Sequence, residues 1–140
     1  MAASLFTAIV ASHPIDCPVA SAGVSAYNNE PASGHAINVM AGEGLDLHAH
    51  RSRRLSQDIM DTARLVLTMT AGHKQAVLGA YPGAVGRVFT LCEYAGERGD
   101  VHDPFGGSEA VYRECAAQIK RLLHRCHDKL REEIAQWNQP

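Results

Sequence analysis

The 140 residues predict an α/β fold built on a parallel sheet. Two near-continuous apolar runs, "RLVLTMT" (64–70) and "RVFTL" (87–91), have the character of strands covered on both faces. A helical stretch, "AGHKQAVLGAY" (71–81), separates them and ends before Pro82-Gly83. A long amphipathic pattern then fills 108–136, with Val111, Cys115, Ile119, Leu122, Leu123, Cys126, Leu130 and Ile134 at steps of three and four. Strands alternating with helices in this order pair in parallel.

The remaining elements follow in chain order. Residues 2–11 read as a helix, or the remainder of one. "PVASAGVSA" (18–26) reads as a short strand running into a Gly turn. "PASGHAINVMAG" (31–42) opens with Pro and Ser, carries Ile37, Met40 and Ala41 on one face and stops at Gly42, which makes a helix with sensible ends. "LSQDIMDTA" (55–63) is a second helix, with Ser56 as N-cap and acids in its first turns. Ser108 is the natural N-cap of the long helix. No repeat or low-complexity linker divides the chain, so 1–140 is expected to be one domain, large enough to bury a core without staples.

Composition excludes several classes. The net charge of −2 gives no basic face for nucleic acid. No apolar run approaches the ~20 residues of a membrane span. "MAASLFTAIVAS" has no Lys or Arg ahead of its apolar part, which argues against a signal peptide. Cys17, Cys92, Cys115 and Cys126 show no C-x-x-C spacing, so reduced thiols and a cytoplasmic location are the expectation. His48 and His50 lie in a polar loop, and His124 and His127, three apart on a helix, have no carboxylate at a matching distance. They are expected to be solvated surface histidines, with no metal.

Function centres on "HDPFGGS" (102–108), in the loop after the last strand. In open parallel sheets, sites gather at the C-terminal ends of the strands. Asp-Pro and Gly-Gly are turn formers, and Asp103 is compatible with a simple turn or cap. Spacing alone favours that turn; the sharper reading is a general acid on a Pro-stiffened loop, placed to protonate a leaving group.

Six segments taken together carry a resemblance. They are "SAGVSA" (21–26), "EPASGHAI" (30–37), "GLDLHAHRSRRL" (44–55), "RLVLTMTAGHKQA" (64–76), "VFTLCEYAG" (88–96) and "GDVHDPFGGSEAVYREC" (99–115). In order and spacing they resemble the low-molecular-weight protein tyrosine phosphatase family over nearly the whole chain. "HKQ", "VFTL-x-EYAG" and "DPFGGS" look most like the bacterial branch that includes protein-arginine phosphatases. The resemblance implies a three-layer α/β/α sandwich with strand order 2-1-3-4, a phosphorylated protein substrate and no cofactor. It assigns Asp103 the proton donation to the leaving group. Phe105, where other members tend to carry Tyr, would line the entrance and pack on the substrate side chain. Ser21 and His50 carry over as supporting residues. Phosphotyrosine, phosphoarginine and small substrates stay open, as does the oligomeric state.

In that family a Cys thiolate attacks phosphorus from a C-x-x-x-x-x-R loop, followed by Ser or Thr, between the first strand and first helix. The resemblance aligns "MAASLF" with the opening of that helix, so the loop and the interior first strand are expected upstream of Met1. Two internal stretches fit the loop's spacing, Cys92 to Arg98 and Cys115 to Arg121. The first places Glu93 and Glu97 where a phosphate dianion would sit. The second lies inside the long helix, whose N–H groups are already spent. The expected strands are then the family's second, third and fourth, with the edges at "PVASAG" and "RLVLTMT" unpaired. "SLFTAIV" (4–10) has the composition of a substitute strand, although the family places it in a helix. Three readings remain: a phosphatase whose start lies further upstream, a non-catalytic phosphatase-like binding module, and a remnant that does not fold stably alone.

Overall fold

The computed structural model describes residues 1–140. Its elements are α1 (Ala2–Ser12), α2 (Gly34–Gly42), α3 (Gln57–Thr62), β1 (Val66–Thr68), α4 (Ala71–Ala80), β2 (Val88–Thr90), α5 (Leu91–Tyr94) and α6 (Glu109–Trp137), with a 3-10 turn at Pro82–Ala84. Ser56 and Ser108 act as the expected caps, accepting the N–H groups of Ile59 and Val111, and Ser33 caps α2, which starts at Gly34 and not at Pro31, by accepting from Ala36.

β1 and β2 pair in parallel, with Val66, Leu67 and Thr68 opposite Val88, Phe89 and Thr90. Side chains alternate across this small sheet and build two cores. Leu65, Leu67, Met69 and Phe89 pack on a large cluster formed by α1, α2, α5 and α6. Val66 and Val88 face a smaller cluster with Met60 of α3, Val77 of α4 and Ala84. Helices therefore cover both faces, the expected three-layer arrangement. α6 supplies the spine of the large core, where Leu122 is fully buried and Ile119, Leu123, Cys126 and Leu130 are nearly so.

Three expectations need correction. Residues 18–22 form no strand, and Gly23 makes only an isolated parallel bridge with Arg54. A strand needs a ladder partner, and no backbone hydrogen bond joins 17–22 to β1. β1 itself is three residues long and only half-covered, because its sole strand partner is β2. Both strands end early because Thr70 and Thr90 turn at once into N-caps, accepting from His73 and Glu93. Val111 sits on the apolar stripe yet is exposed; it lies in the first turn of α6 and rests against Gly107 instead of the core. Residues 4–10 remain helical, with Leu5, Phe6 and Ile9 buried against α6.

α5 was not foreseen. Thr90 and Glu93 form a reciprocal capping box, a Thr-x-x-Glu signal embedded in "VFTLCEYAG". The short helix begins where the strand ends, so the apolar pattern ran through the boundary.

Candidate active site

A cleft of about 340 Å³ opens at the C-terminal end of β1. The N-terminal turn of α1 forms one wall, and Asp103 and Pro104 form another. Ser21, His50 and Cys115 belong to its polar lining, and Met69, Val101 and Ile119 to its apolar part. The loop with Asp103 is held at its base by Val101, which is buried and donates its N–H to the Met69 carbonyl at 2.8 Å.

Asp103 does two things at once. Its Oδ1 accepts the Phe105 N–H at 3.0 Å, which closes an Asx turn and fixes the side chain. Its Oδ2 makes no hydrogen bond within the protein and the residue is exposed, so the carboxyl keeps a free oxygen. The turn continues through the Gly107 N–H to the Pro104 carbonyl at 2.9 Å, with Gly106 at φ +81. A Cβ at Gly107 would lie 2.9 Å from that carbonyl and 3.0 Å from Val111 Cγ1, so this position has no room for a side chain.

The other expected site residues are placed as follows. Ser21 is exposed in the cleft lining, and its carbonyl accepts from Arg53 Nε at 2.8 Å. His50 is half-buried there; burial first, then the nearby N-terminal amine and Arg51, hold its pKa below the usual imidazole value. Phe105 is 84% exposed and stands outside the cleft lining. His73 and His102 also border the cleft and were not singled out from sequence. Their signal was positional: His73 follows β1 in the first turn of α4, and His102 directly precedes Asp103.

None of the four thiols has the environment of a nucleophile, which needs neighbouring positive charge or free N–H groups to favour the thiolate. Burial pushes Cys17 up, with Asp16 adding to it. Cys92 is raised by burial and then by the carboxylates of Glu97 and Asp100. Arg121 and Arg125 hold Glu97 in place at 2.6 Å, so the residues after Cys92 cannot cradle a phosphate. Cys115 borders the cleft from within α6, donates its thiol to the His102 carbonyl at 3.7 Å, and is raised by burial and by Asp103. Burial pushes Cys126 up to about 12.

The histidine expectation holds only in part. His48 is exposed and pairs with Asp46 at 2.7 Å. His127 is not a surface residue: it is 3% exposed and donates from Nε2 to the His13 carbonyl at 2.8 Å, past the end of α1. Its place between Leu123 and Leu130 on the apolar stripe was the signal for this. No group of three or more metal-ligating side chains comes together. No helix is long and apolar enough to cross a membrane.

With this geometry in place, comparison with known proteins is informative. Residues 1–136 match the model of the family described as low molecular weight phosphotyrosine protein phosphatase. A protein-arginine-phosphatase from Geobacillus stearothermophilus is 40% identical over 116 residues, covering 82% of this chain and 78% of that protein. Another from Bacillus subtilis is 37% identical over 134 residues, covering 95% and 89%. The solved structure of the YwlE arginine phosphatase from Geobacillus stearothermophilus superposes with a TM-score of 0.89 at 35% identity, covering 99% of this chain and 88% of that one. The chain belongs to the low molecular weight phosphotyrosine protein phosphatase family.

Proposed function

We propose that this chain acts on phosphorylated protein side chains, phosphoarginine foremost, and that residues 1–140 supply the proton-donating half of the site. The observation that carries the reading is Asp103, on a turn that fixes its Oδ1 and leaves its Oδ2 free beside the cleft. The arginine preference draws on the two protein-arginine-phosphatases that are 40% and 37% identical to this chain.

In the first half-reaction a thiolate attacks phosphorus, the bond to the leaving group breaks, and Asp103 transfers its proton to the departing atom. A water then hydrolyses the phosphocysteine. The thiolate and the phosphate-gripping Arg belong to a C-x-x-x-x-x-R loop joined to the N-terminus of α1. That helix opens on the cleft, where its free N–H groups favour an anion. Phe105, exposed beside the acid, packs on the substrate side chain, while Ser21 and His50 support the loop. Cytoplasmic placement accords with four free thiols.

Residues 1–140 alone are then inactive. The test is hydrolysis of an aryl phosphate and of a phosphoarginine-bearing protein. The expected result is no turnover for 1–140 and turnover once a strand and C-x-x-x-x-x-R-S loop from a relative are joined ahead of Met1. Turnover by 1–140 that vanishes in Cys92→Ser or Cys115→Ser overturns the assignment. The second reading is a non-catalytic module that binds phosphorylated proteins. It is favoured by the raised pKa of every thiol present, and it predicts that the joined chain stays inactive.

A further inference from the structure

We propose a second anion site, for a small phosphate-class oxyanion, at the end of the sheet opposite the Asp103 cleft. A pocket of about 160 Å³ lies there. Arg64 and Arg87 border it from positions just before β1 and β2, whereas Asp103, His73 and Met69 follow the strands at the other end. Lys129, Glu133 and Trp137 close it from the C-terminal half of α6, and Tyr94 from α5.

Three cations thus face one carboxylate, and that carboxylate is engaged. Glu133 accepts the Tyr94 hydroxyl at 2.6 Å. The cations are fixed without being neutralised. The Arg64 guanidinium stacks 4.0 Å above the Trp137 ring and makes no hydrogen bond to the protein, so its N–H fork is free. The Lys129 ammonium sits 4.3 Å from the Tyr94 ring and forms no ion pair. Arg87 spends one terminal nitrogen on the carbonyls of Met60 and Ala63 and keeps its Nε and other terminal nitrogen.

Aromatic faces hold a cation in position while leaving its edge donors unused, and fixed like charges around a concavity favour an anion entering it. A phosphoryl dianion offers the fork geometry that guanidinium groups match. The size selects against larger ligands, since pockets for drug-sized molecules begin near ~300 Å³. None of these residues lines the Asp103 cleft, so the inference stands whether or not the phosphatase reading holds.

Trp137 is the chain's single tryptophan, so its fluorescence reports this pocket alone. The experiment titrates residues 1–140 with inorganic phosphate, with phenyl phosphate, and with sodium chloride at matched ionic strength. A saturable change with phosphate but not chloride is expected. Saturation by inorganic phosphate alone identifies a free ion as ligand, and saturation by both identifies a phosphorylated side chain as well. Lys129→Gln, which keeps the Arg64–Trp137 stack, should weaken binding roughly tenfold, as loss of one charge-assisted contact does. Arg64→Gln, followed by calorimetry because it alters the fluorophore's neighbour, should do the same. Lys120→Gln removes an equal charge from α6 at the Glu43 ion pair and should leave affinity unchanged. No saturation with either phosphate, a response equal to that of chloride, or equal weakening by Lys120→Gln overturns the proposal.

Discussion

If no thiol in residues 1–140 is an activated nucleophile, alkylation will show it. The perturbation is iodoacetamide at pH 7.5, applied to the folded chain and to the chain in urea. A thiolate is the reactive species. Burial raises Cys126 from 9.0 to about 12, three decades, so its folded thiolate population is ~1,000-fold below that of an ordinary thiol. Cys126 is also 1% exposed, so its reaction needs an opening of the α6 core. Cys92 and Cys115 are buried and raised as well, and half-buried Cys17 should react first. Peptide mass spectrometry gives the rate at each position. All four should label more slowly in the folded chain than in urea, and Cys126 should fall about a thousandfold or more below its own rate in urea. The reasoning fails if Cys92 or Cys115 labels faster in the folded chain and phosphate protects it.

Other outcomes follow from the same contacts. Leu122→Ala should cost ~2–5 kcal/mol in urea unfolding, while Val111→Ala, on the same stripe but exposed, should stay within ~0.5 kcal/mol. Thr90→Val removes the cap on the Glu93 N–H and should cost about 1 kcal/mol; an unchanged midpoint would deny the capping box its role. Because the folded pKa of Cys126 lies above its unfolded value, the stability from its burial is complete below about pH 9 and is lost as pH rises through about 12. Cys126→Val should flatten that alkaline loss, and an unchanged slope would place its origin elsewhere. β1 has no strand partner on its second edge, so residues 1–140 should self-associate in sedimentation. A sharp-melting, monodisperse monomer of the unsubstituted chain would show that the edge is harmless.

Local chemistry made much of the fold legible. Ser56 and Ser108 announced two helix starts, and the stripe from Cys115 to Leu130 announced the core face of α6. What depends on a partner was not legible. Residues 18–22 have strand composition but no ladder, and Val111 has the right phase but nothing above it. The turn at Asp103 was legible because Asp-Pro-x-Gly after a strand is a local signal. His73, His102 and the Arg64–Arg87 pair were not, because only the parallel pairing of β1 and β2 gathers residues from separate segments at each sheet end.

The central claim is that Asp103 is the proton donor, and its most direct test varies the leaving group. The chain carrying the joined strand and C-x-x-x-x-x-R-S loop is compared with its Asp103→Asn form on aryl phosphates of graded phenol pKa. A general acid contributes ~10²–10⁴-fold, and most where the leaving group needs the proton most. Rates of the Asn form should therefore fall steeply as phenol pKa rises, while those of the parent chain stay nearly flat. An equal loss across the whole series would make Asp103 only the turn residue that its hydrogen bond to Phe105 describes, and would contradict the account.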